Sequence, residues 1–314
     1  MKHFLSVTDV SDIQALVAKA NEAKSDPWRH ESLGHHKTLG LLFFNPSLRT
    51  RLSTVKAAQH LGMKVLVMNV SQDSWQLETE DGVVMDGGKA EHVKEAAAVV
   101  GQYCDIISVR SFPTLVDREA DYAEKLLHAF VNHSGRPVVN MESSTVHPLQ
   151  SLADVQTIEG NRLTDRPKVV MSWAPHIKAL PQAVPNSFAQ WMAQMDYDFV
   201  ITAPDGFELA EAFTNGVQQT ADQEAALKNA DFVYVKNWSS FHDYGAVGRF
   251  PDWCIDGEKM ALTNNGRFMH CLPVRRNVVV SDQVLDDPRA LHLEQANNRL
   301  WAAQAVLQSI LEDL

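Results

Sequence analysis

The sequence predicts an α/β protein with two domains, each built on a central parallel sheet flanked by helices and joined by interdomain helices. At 314 residues the chain is longer than one typical domain, which makes two domains the natural expectation. Short apolar runs alternate with segments of helical length and pattern, and this alternation is typical of parallel strands linked by right-handed crossovers. Hydrophobic residues make up 45% of the chain and charged residues 21%, so there is enough apolar material for a full core.

In the first half of the chain, four apolar runs are predicted as strands, and helical patterns follow or precede them. The predicted strands are 41–44, 64–69, 106–109 and 137–141. The predicted helices are a segment within 3–24, one that begins near Leu48, one at 91–103 and one at 147–159.

The second half repeats the alternation and predicts a second sheet. Its expected strands are 168–173, 198–202, 232–236 and 267–271. Its expected helices are 186–195, 222–229 and a long terminal helix at 294–314. The dipeptides Asp205-Gly206 and Asp256-Gly257 predict turns.

The segment after the first predicted strand has the composition of an anion site. Pro46 ends the strand, and Ser47 is a candidate N-cap for the helix that follows. Arg49, Thr50 and Arg51 then fall in the first turn, where cations oppose the helix dipole. A phosphate-like ligand removes that conflict, because free amides, hydroxyls and guanidinium groups can all converge on it.

The net charge of −11 argues against a nucleic-acid or anionic-membrane partner, since either needs a basic face. The three cysteines are too few and too dispersed for a disulfide framework or a zinc knuckle. The first residues lack the apolar core of a signal peptide, and no window approaches the ~20 apolar residues of a membrane span. We expect a cytoplasmic enzyme that acts on a small anionic substrate.

Four further side chains are candidates that also have ordinary structural explanations. Arg110 falls where open α/β sheets place ligand groups, although it could pair with a surface acid. His147 could be a structural histidine, Arg299 a solvated residue of the terminal helix, and Trp75 the completion of a local core. Residue types alone leave these alternatives open.

Four motifs in this order resemble the aspartate and ornithine transcarbamylase family over nearly the whole chain. They are S-L-R-T at 47–50, H-P-L-Q at 147–150, H-C-L-P-V-R-R at 270–276 and the arginine of A-N-N-R-L, Arg299. The resemblance implies a carbamoyl-phosphate domain at 1–148 plus the helix 294–314, and an acceptor domain at 149–293. It also implies an active site completed by a loop from a neighbouring subunit, with Trp75 as the contribution, and hence a homotrimer.

The resemblance implies which residues bind carbamoyl phosphate, and it requires neither a cofactor nor a metal. The implied binding residues are Ser47, Leu48, Arg49, Thr50, Trp75, Arg110, His147, Gln150, Cys271, Leu272 and Arg299. Among them Thr50, Arg110, His147 and Arg299 are the implied catalytic residues, which polarise the carbonyl and hold the phosphate. Cys271 also stands beside His270, but a nucleophilic cysteine is the weaker interpretation, because the mixed anhydride needs no covalent intermediate.

The acceptor is implied by departures from the family's commoner patterns. H-C-L-P in place of H-P-L-P points toward an ornithine-like amine, yet the Asp-x-x-x-Ser-Met-Gly loop that grips a free α-amino acid is absent. Lys236 in the sequence K-N-W occupies that region, which favours an acylated α-nitrogen. The pattern resembles the N-acetylornithine and N-succinylornithine transcarbamylases. The implied acceptor contacts are Ala90, Glu142, His176, Lys236 and Arg275, and we add Lys178 as a candidate for a second carboxylate.

The identity of the acyl group depends on Ala90. In the resembled enzymes, glutamate at the matching position goes with acetylornithine and proline with succinylornithine. Alanine removes a like charge that would repel a succinyl carboxylate, so we expect N-succinylornithine as the acceptor. N-acetylornithine and plain ornithine are the alternatives. A putrescine acceptor gives no reason for Lys236 and Arg275, and an inactive homologue would be expected to have lost some of the catalytic set.

Overall fold

The computed structural model describes residues 1–70 and 75–314, and within them the chain divides into two compact units. Unit 1 contains Met1–Thr114, Glu119–Leu149 and Arg299–Leu314. Unit 2 contains Leu115–Arg118 and Gln150–Asn298. Each unit has its own parallel sheet and its own cluster of buried apolar residues.

Unit 1 is built on a four-stranded sheet. The strands of the whole unit are β1 (Thr38–Phe43), β2 (Lys64–Asn69), β3 (Leu77–Glu78), β4 (Glu91–His92), β5 (Ile106–Arg110) and β6 (Val138–Glu142). The helices in the first half of the chain are α1 (Ile13–Ser25), α2 (Leu48–His60), α3 (Val93–Tyr103), α4 (Arg118–Tyr122), α5 (Lys125–His133) and α6 (Pro148–Asn161). The sheet has the order β2-β1-β5-β6 with parallel neighbours throughout, while β3 and β4 form a separate parallel pair.

Unit 2 is built on a five-stranded parallel sheet with the order β11-β10-β7-β8-β9. Its strands are β7 (Lys168–Trp173), β8 (Asp198–Thr202), β9 (Gln218–Thr220), β10 (Phe232–Lys236) and β11 (Arg267–Met269). The helices after α6 are α7 (Ala183–Met192), α8 (Glu211–Thr214), α9 (Gln223–Leu227), α10 (Gly257–Ala261), α11 (Asp282–Leu285) and α12 (His292–Leu311).

The register of unit 1 brings polar strand ends together at one edge of the sheet. Phe43, the last residue of β1, pairs with Arg110 at the end of β5, and Arg110 pairs with Glu142 at the end of β6. The pairing shifts between Val109 and Arg110, which marks a local irregularity of the ladder. The carboxyl edge of a parallel sheet is where α/β folds place ligand groups, so this register positions the candidate site.

The predicted fold class is confirmed, and four predicted strands have the predicted bounds: 64–69, 168–173, 198–202 and 232–236. The predicted helix at 91–103 is wrong at its start, because Glu91 and His92 pair with β3 and His92 caps a helix that begins at Val93. The strand expected at 267–271 ends at Met269.

Two further expectations in unit 2 are corrected by local chemistry. The helix expected at 186–195 begins at Ala183, because Pro185 lies in the first turn, where a missing amide donor costs nothing. The turn predicted at Asp256-Gly257 is the start of α10, with the Asp256 side chain accepting from the Lys259 amide as an N-cap. Within the residues described, no helix combines the length and apolar character needed to cross a membrane.

Candidate active site

The first turn of α2 has the predicted form of an anion site. The Ser47 side chain accepts from the Thr50 amide at 3.3 Å, which confirms Ser47 as the N-cap, and Leu48 is the first helical residue. This turn, which the structure describes in full, carries no acidic side chain. The charged and polar side chains beside its free amides and the positive end of the helix dipole are therefore basic or hydroxyl groups.

Arg49 and Arg51 lie on this turn and have different surroundings. The Arg51 guanidinium donates to the side-chain oxygen of Asn69 and lies over the Phe43 ring, 5.0 Å from its centroid. For Arg49, the buried Nε has no hydrogen-bond partner among the described residues. Arg51 thus fastens the ends of β1 and β2, whereas Arg49 retains donor capacity for a ligand.

Three residues distant in sequence meet beside this turn within unit 1. Arg299 on α12 donates from Nη2 to Thr50 Oγ1 at 2.7 Å, and the same nitrogen lies 3.4 Å from His147 Nε2. Thr50, His147 and Arg299 are all buried. The structure therefore brings together three of the four residues that the sequence predicts to be catalytic.

The fourth, Arg110, is held by a carboxylate. Its guanidinium donates to Glu142 in a buried ion pair and lies over the Phe112 ring, with Cζ 4.4 Å from the ring centroid. Glu142 Oε2 is also 3.5 Å from His147 Nε2. Glu142 was predicted to contact the acceptor, and in this structure it orients Arg110. Removing one partner of such a buried pair leaves an uncompensated charge, which costs about 3–5 kcal/mol.

His147 is neutral at physiological pH. Burial lowers its pKa well below the usual histidine value, and the positive charges of Arg299 and Arg110 lower it further. Its contact with Glu142 is therefore not an ion pair at neutral pH. A neutral imidazole has one donor and one acceptor nitrogen, so it can hydrogen-bond a carbonyl oxygen without bringing another charge.

Trp75 and Ala90 lie in the part of unit 1 that precedes α3. The indole Nε1 of Trp75 donates to Glu91 Oε2 at 2.9 Å, and the half-buried ring packs against the core of unit 1. The Ala90 amide donates to the carbonyl of Gln76 at 2.9 Å, and every residue from 80 to 90 is exposed. Within one chain, Trp75 thus has contacts in its own unit, and Ala90 belongs to an exposed loop.

In unit 2, the predicted carbamoyl contacts lie on a buried polar chain. Gln150, in the first turn of α6, donates from Nε2 to Asp154 Oδ1 at 2.7 Å, and Gln295 Nε2 donates to the same oxygen at 2.6 Å. Gln295 Oε1 accepts from the His270 amide at 2.9 Å. The following residue, Cys271, is buried.

The segment with Cys271 and Leu272 turns sharply after β11. The Leu272 amide donates to His270 Nδ1 at 2.9 Å, and Leu272 has a φ of 58°, in the left-handed region that leucine rarely adopts. Such a backbone costs on the order of 1–3 kcal/mol and is found where function needs a particular direction of the chain.

The predicted acceptor residues of unit 2 form one basic cluster, made of His176, Lys178, Lys236 and Arg275. Arg275 Nε donates to His176 Nε2 at 3.2 Å, and the Lys178 amide donates to His176 Nδ1 at 3.1 Å. Burial lowers the pKa of His176, and the positive charges of Lys236, Arg275 and Lys178 lower it further. An anionic group is the natural ligand for such a cluster.

Lys236 is positioned by the K-N-W sequence that follows β10. Asn237 donates to the Ala174 carbonyl at 2.6 Å, and the Trp238 indole donates to the Phe207 carbonyl at 2.7 Å. Both side chains are buried, whereas Lys236 is only partly buried. The two buried anchors therefore fix the end of β10 and leave the lysine as its one accessible charge.

Sequence reasoning missed Asp154, Gln295 and Tyr234. Burial raises the pKa of Tyr234 well above its usual value, and the negative charge of Asp154 and the neighbouring Cys271 raise it further. A signal for Asp154 was available, because it lies four residues after Gln150 on a predicted helix, where the two side chains are neighbours. In the described part of the chain, no three histidine, cysteine, aspartate or glutamate side chains form a group that could hold a metal ion.

Two family profiles match most of the chain. The carbamoyl-phosphate-binding domain of aspartate/ornithine carbamoyltransferases matches residues 2–160, and the aspartate/ornithine-binding domain of the same enzymes matches residues 181–310. The chain belongs to the aspartate/ornithine carbamoyltransferase family. The family prediction made from S-L-R-T, H-P-L-Q and H-C-L-P is thereby confirmed, and the protein is a transferase.

Relatives within this carbamoyltransferase family cover the whole chain. The chain is 51% identical to the N-succinylornithine carbamoyltransferase of Bacteroides thetaiotaomicron over 100% of both proteins. It is 35% identical to the N-acetylornithine carbamoyltransferase of Xanthomonas campestris pv. campestris, over 99% of this chain and 98% of that enzyme.

Solved carbamoyltransferases have the same fold. Acetylornithine transcarbamylase complexed with acetylcitrulline matches with a TM-score of 0.93 and 35% identity over 99% of each chain. A glutamate-to-alanine mutant of N-acetyl-L-ornithine transcarbamylase, complexed with carbamyl phosphate and N-succinyl-L-norvaline, matches with a TM-score of 0.92. It is 36% identical over 99% of this chain and 100% of that chain.

Proposed function

We propose that this enzyme transfers the carbamoyl group of carbamoyl phosphate to the δ-amine of N-succinyl-L-ornithine in the cytoplasm. The products are N-succinyl-L-citrulline and phosphate, and the reaction is a step of arginine biosynthesis. The observation that carries the proposal is the cluster of Thr50, His147 and Arg299 beside the Ser47-capped turn of α2. The 51% identity to N-succinylornithine carbamoyltransferases supports the same acceptor.

The α2 turn and its arginines bind the phosphate. Its free amides, the Ser47 and Thr50 hydroxyls and the Arg49 and Arg299 guanidinium groups are the donors that a phosphate group selects. Because Arg49 Nε is unpaired among the described residues, binding does not require breaking a contact of that nitrogen. Such preorganisation reduces the cost of assembling the site.

Thr50, Arg110 and His147 polarise the carbonyl group. The δ-amine forms a bond to the carbonyl carbon, negative charge develops on the carbonyl oxygen, and the bond to phosphate then breaks as the nitrogen passes a proton to the departing phosphate. Fixed donors directed at that oxygen stabilise the transition state more than the substrate. The ion pair with Glu142 fixes the Arg110 guanidinium before the substrate arrives.

The basic cluster of unit 2 binds the carboxylates of the acylornithine. Its four members, His176, Lys178, Lys236 and Arg275, offer a carboxylate several positive donors and no acidic group of their own. A free α-ammonium group would be repelled there, and acylation removes that charge. The cluster therefore favours an acylated ornithine over ornithine itself, and Lys178 is available for the second carboxylate of a succinyl group.

The exposed loop around Ala90 favours the succinyl group over the acetyl group. Alanine brings no negative charge near a succinyl carboxylate and leaves room for its longer chain. In agreement with this, a glutamate-to-alanine mutant of the related acetylornithine enzyme was solved with N-succinyl-L-norvaline. N-acetyl-L-ornithine is the second candidate acceptor, because four of the relatives found are named for it.

The enzyme is proposed to be a homotrimer whose active sites are shared between subunits. Unit 1 exposes Leu48 and Leu52 on α2 and Leu66 and Val67 on the edge strand β2. Exposed apolar side chains grouped in this way are typical of protein interfaces. The loop with Ala90 would extend to the neighbouring subunit, together with Trp75.

An acceptor panel tests the proposed function. Purified protein is mixed with carbamoyl phosphate and, separately, with N-succinylornithine, N-acetylornithine, ornithine or putrescine, and phosphate release and the ureido product are measured. We expect the highest kcat/KM with N-succinylornithine. A higher value with N-acetylornithine would replace the proposed acceptor, and no turnover with any amine would reject carbamoyl transfer.

A further inference from the structure

One buried carboxylate in unit 2 has no part in the function described above. Asp154 lies on α6, one turn beyond Gln150, and none of its surface is exposed. Its Oδ1 accepts hydrogen bonds from Gln150 Nε2 at 2.7 Å and from Gln295 Nε2 at 2.6 Å. Since the same carboxyl oxygen accepts both bonds, both amide groups turn their NH₂ ends toward it.

This arrangement determines the direction of the Gln150 amide. With its NH₂ end on Asp154, the oxygen Oε1 faces the other way, and among the described residues it has no hydrogen-bond donor. Gln150 is only 1% exposed, so solvent reaches it poorly. A buried acceptor without a donor costs about 1–3 kcal/mol, and a ligand that carries an N–H group removes that cost.

We propose that Asp154 is the positioning residue that makes Gln150 an acceptor for the –NH₂ group of the carbamoyl moiety. This inference rests on the proposed function and on the contact with carbamoyl phosphate that the family resemblance implies for Gln150. If the Gln150 amide were reversed, its NH₂ group would face the carbamoyl –NH₂ group, and two donors cannot hydrogen-bond each other.

The same carboxylate also supports the segment with Cys271 and Leu272. Asp154 holds the NH₂ end of Gln295. The Gln295 oxygen therefore faces the His270 amide and accepts a hydrogen bond from it at 2.9 Å. That bond anchors the chain just before Cys271 and Leu272, whose main-chain carbonyls the family resemblance assigns as further acceptors for the carbamoyl –NH₂ group. Asp154 thus directs acceptors from α6 and from the segment after β11 toward one –NH₂ group.

A ligand pair that differs only at this group provides the readout. Acetyl phosphate has a methyl group where carbamoyl phosphate has –NH₂, so it cannot donate to Gln150. The measured quantity is the Kd of acetyl phosphate divided by the Kd of carbamoyl phosphate, obtained by titration calorimetry. A site that hydrogen-bonds an amine rejects the analogue that lacks it, and we expect a ratio of at least about 10 for the unmodified enzyme.

Asp154→Leu is the decisive variant. Leucine has a similar shape but no acceptor, so it cannot hold either glutamine, and the Gln150 amide loses its fixed direction. We expect the ratio to fall by about tenfold or more. In a Gln150→Ala background, Asp154→Leu should lower the ratio by clearly less than it does alone, because only its support of the segment with Cys271 and Leu272 remains to be lost.

Thr157→Ala is the matched control. Thr157 is equally buried on α6 and accepts from Asn298 of α12 at 2.9 Å, but it does not contact Gln150. It should lower the Tm while leaving the ratio unchanged, as a merely structural defect would. If Asp154→Leu does not fold, Asp154→Ala, which also lacks an acceptor and adds no bulk, is measured in its place with the same expected fall.

The outcomes separate this inference from the proposed function. A folded Asp154 variant with the ratio of the unmodified enzyme overturns the positioning role, and so does an additive effect in the Gln150→Ala background. Absence of carbamoyl-phosphate binding or turnover in the unmodified enzyme rejects the proposed function instead.

Discussion

Replacing Arg49 by alanine should separate substrate binding from stability. The buried Nε of this arginine has no partner in the described part of the chain, and the side chain places a cation at the positive end of α2. Removing that cation relieves a dipole conflict of about 0.3–1 kcal/mol, so the Tm should stay constant or rise slightly. Carbamoyl phosphate should nevertheless bind much more weakly.

The size of the binding loss follows from the contact that Arg49 offers. One charge-assisted hydrogen bond contributes about 1.5–3 kcal/mol, and a bidentate contact with phosphate contributes more. At about 1.4 kcal/mol per factor of ten, the Kd of carbamoyl phosphate should rise at least about 10-fold and up to roughly 100-fold or more. Calorimetric titration gives the Kd, and initial rates should show turnover close to abolished.

Arg51→Ala is the control on the same helical turn. Its guanidinium is engaged with Asn69 and the Phe43 ring, so its removal should lower the free energy of unfolding by about 1–3 kcal/mol and change the Kd less. A folded Arg49→Ala enzyme with an unchanged Kd for carbamoyl phosphate would refute the phosphate site. An Arg51 variant with the larger binding defect would show that the two roles are assigned the wrong way round.

Three further predictions concern assembly, specificity and pH. Inactive Trp75→Ala mixed with inactive Arg110→Ala should regain activity in hybrid trimers, whereas no recovery after verified subunit exchange would mean that each chain builds its own site. Ala90→Glu should lower kcat/KM for N-succinylornithine and raise it for N-acetylornithine, and an unchanged preference would contradict the specificity proposal. Because the pKa of His147 is lowered in the folded state, the unfolded chain takes up a proton that the folded chain refuses, and stability should fall as the pH drops below about 6.5. Urea unfolding between pH 5 and 8 should show that the free energy of unfolding changes with pH by at most about 1.4 kcal/mol per pH unit for this one group. The slope should be smaller in His147→Asn, and equal slopes in both proteins would contradict the prediction.

The α2 site was predictable because its signals are local. An apolar run, Pro46, the Ser47 cap and the basic first turn adjoin in sequence, and each has a conformational consequence within a few residues. Strand bounds were predictable for the same reason where a run of apolar residues has clear ends, as in β7 and β10. The start of α3 was not predictable from local signals, because His92 pairs with Glu78, fourteen positions earlier, in a parallel strand pair.

Roles that depend on long-range contacts could not be predicted from residue types. The contact of Glu142 with the acceptor remains a prediction, whereas its ion pair with Arg110, which the register of β5 and β6 creates, was not predicted. Arg49 and Arg51 look equivalent in sequence, and the contacts of Arg51 with Asn69 and the Phe43 ring distinguish them. Gln295 hydrogen-bonds Asp154 although 141 positions separate them in the sequence, and no local pattern predicts that contact.

A competition experiment tests the central claim most directly. Equal concentrations of N-succinylornithine, N-acetylornithine and ornithine are supplied together with carbamoyl phosphate, and the three citrulline products are quantified by mass spectrometry. The product ratio equals the ratio of the kcat/KM values, independent of enzyme concentration. We predict that N-succinyl-L-citrulline predominates at least tenfold over each other product, whereas a predominance of N-acetylcitrulline or citrulline would contradict the proposed acceptor.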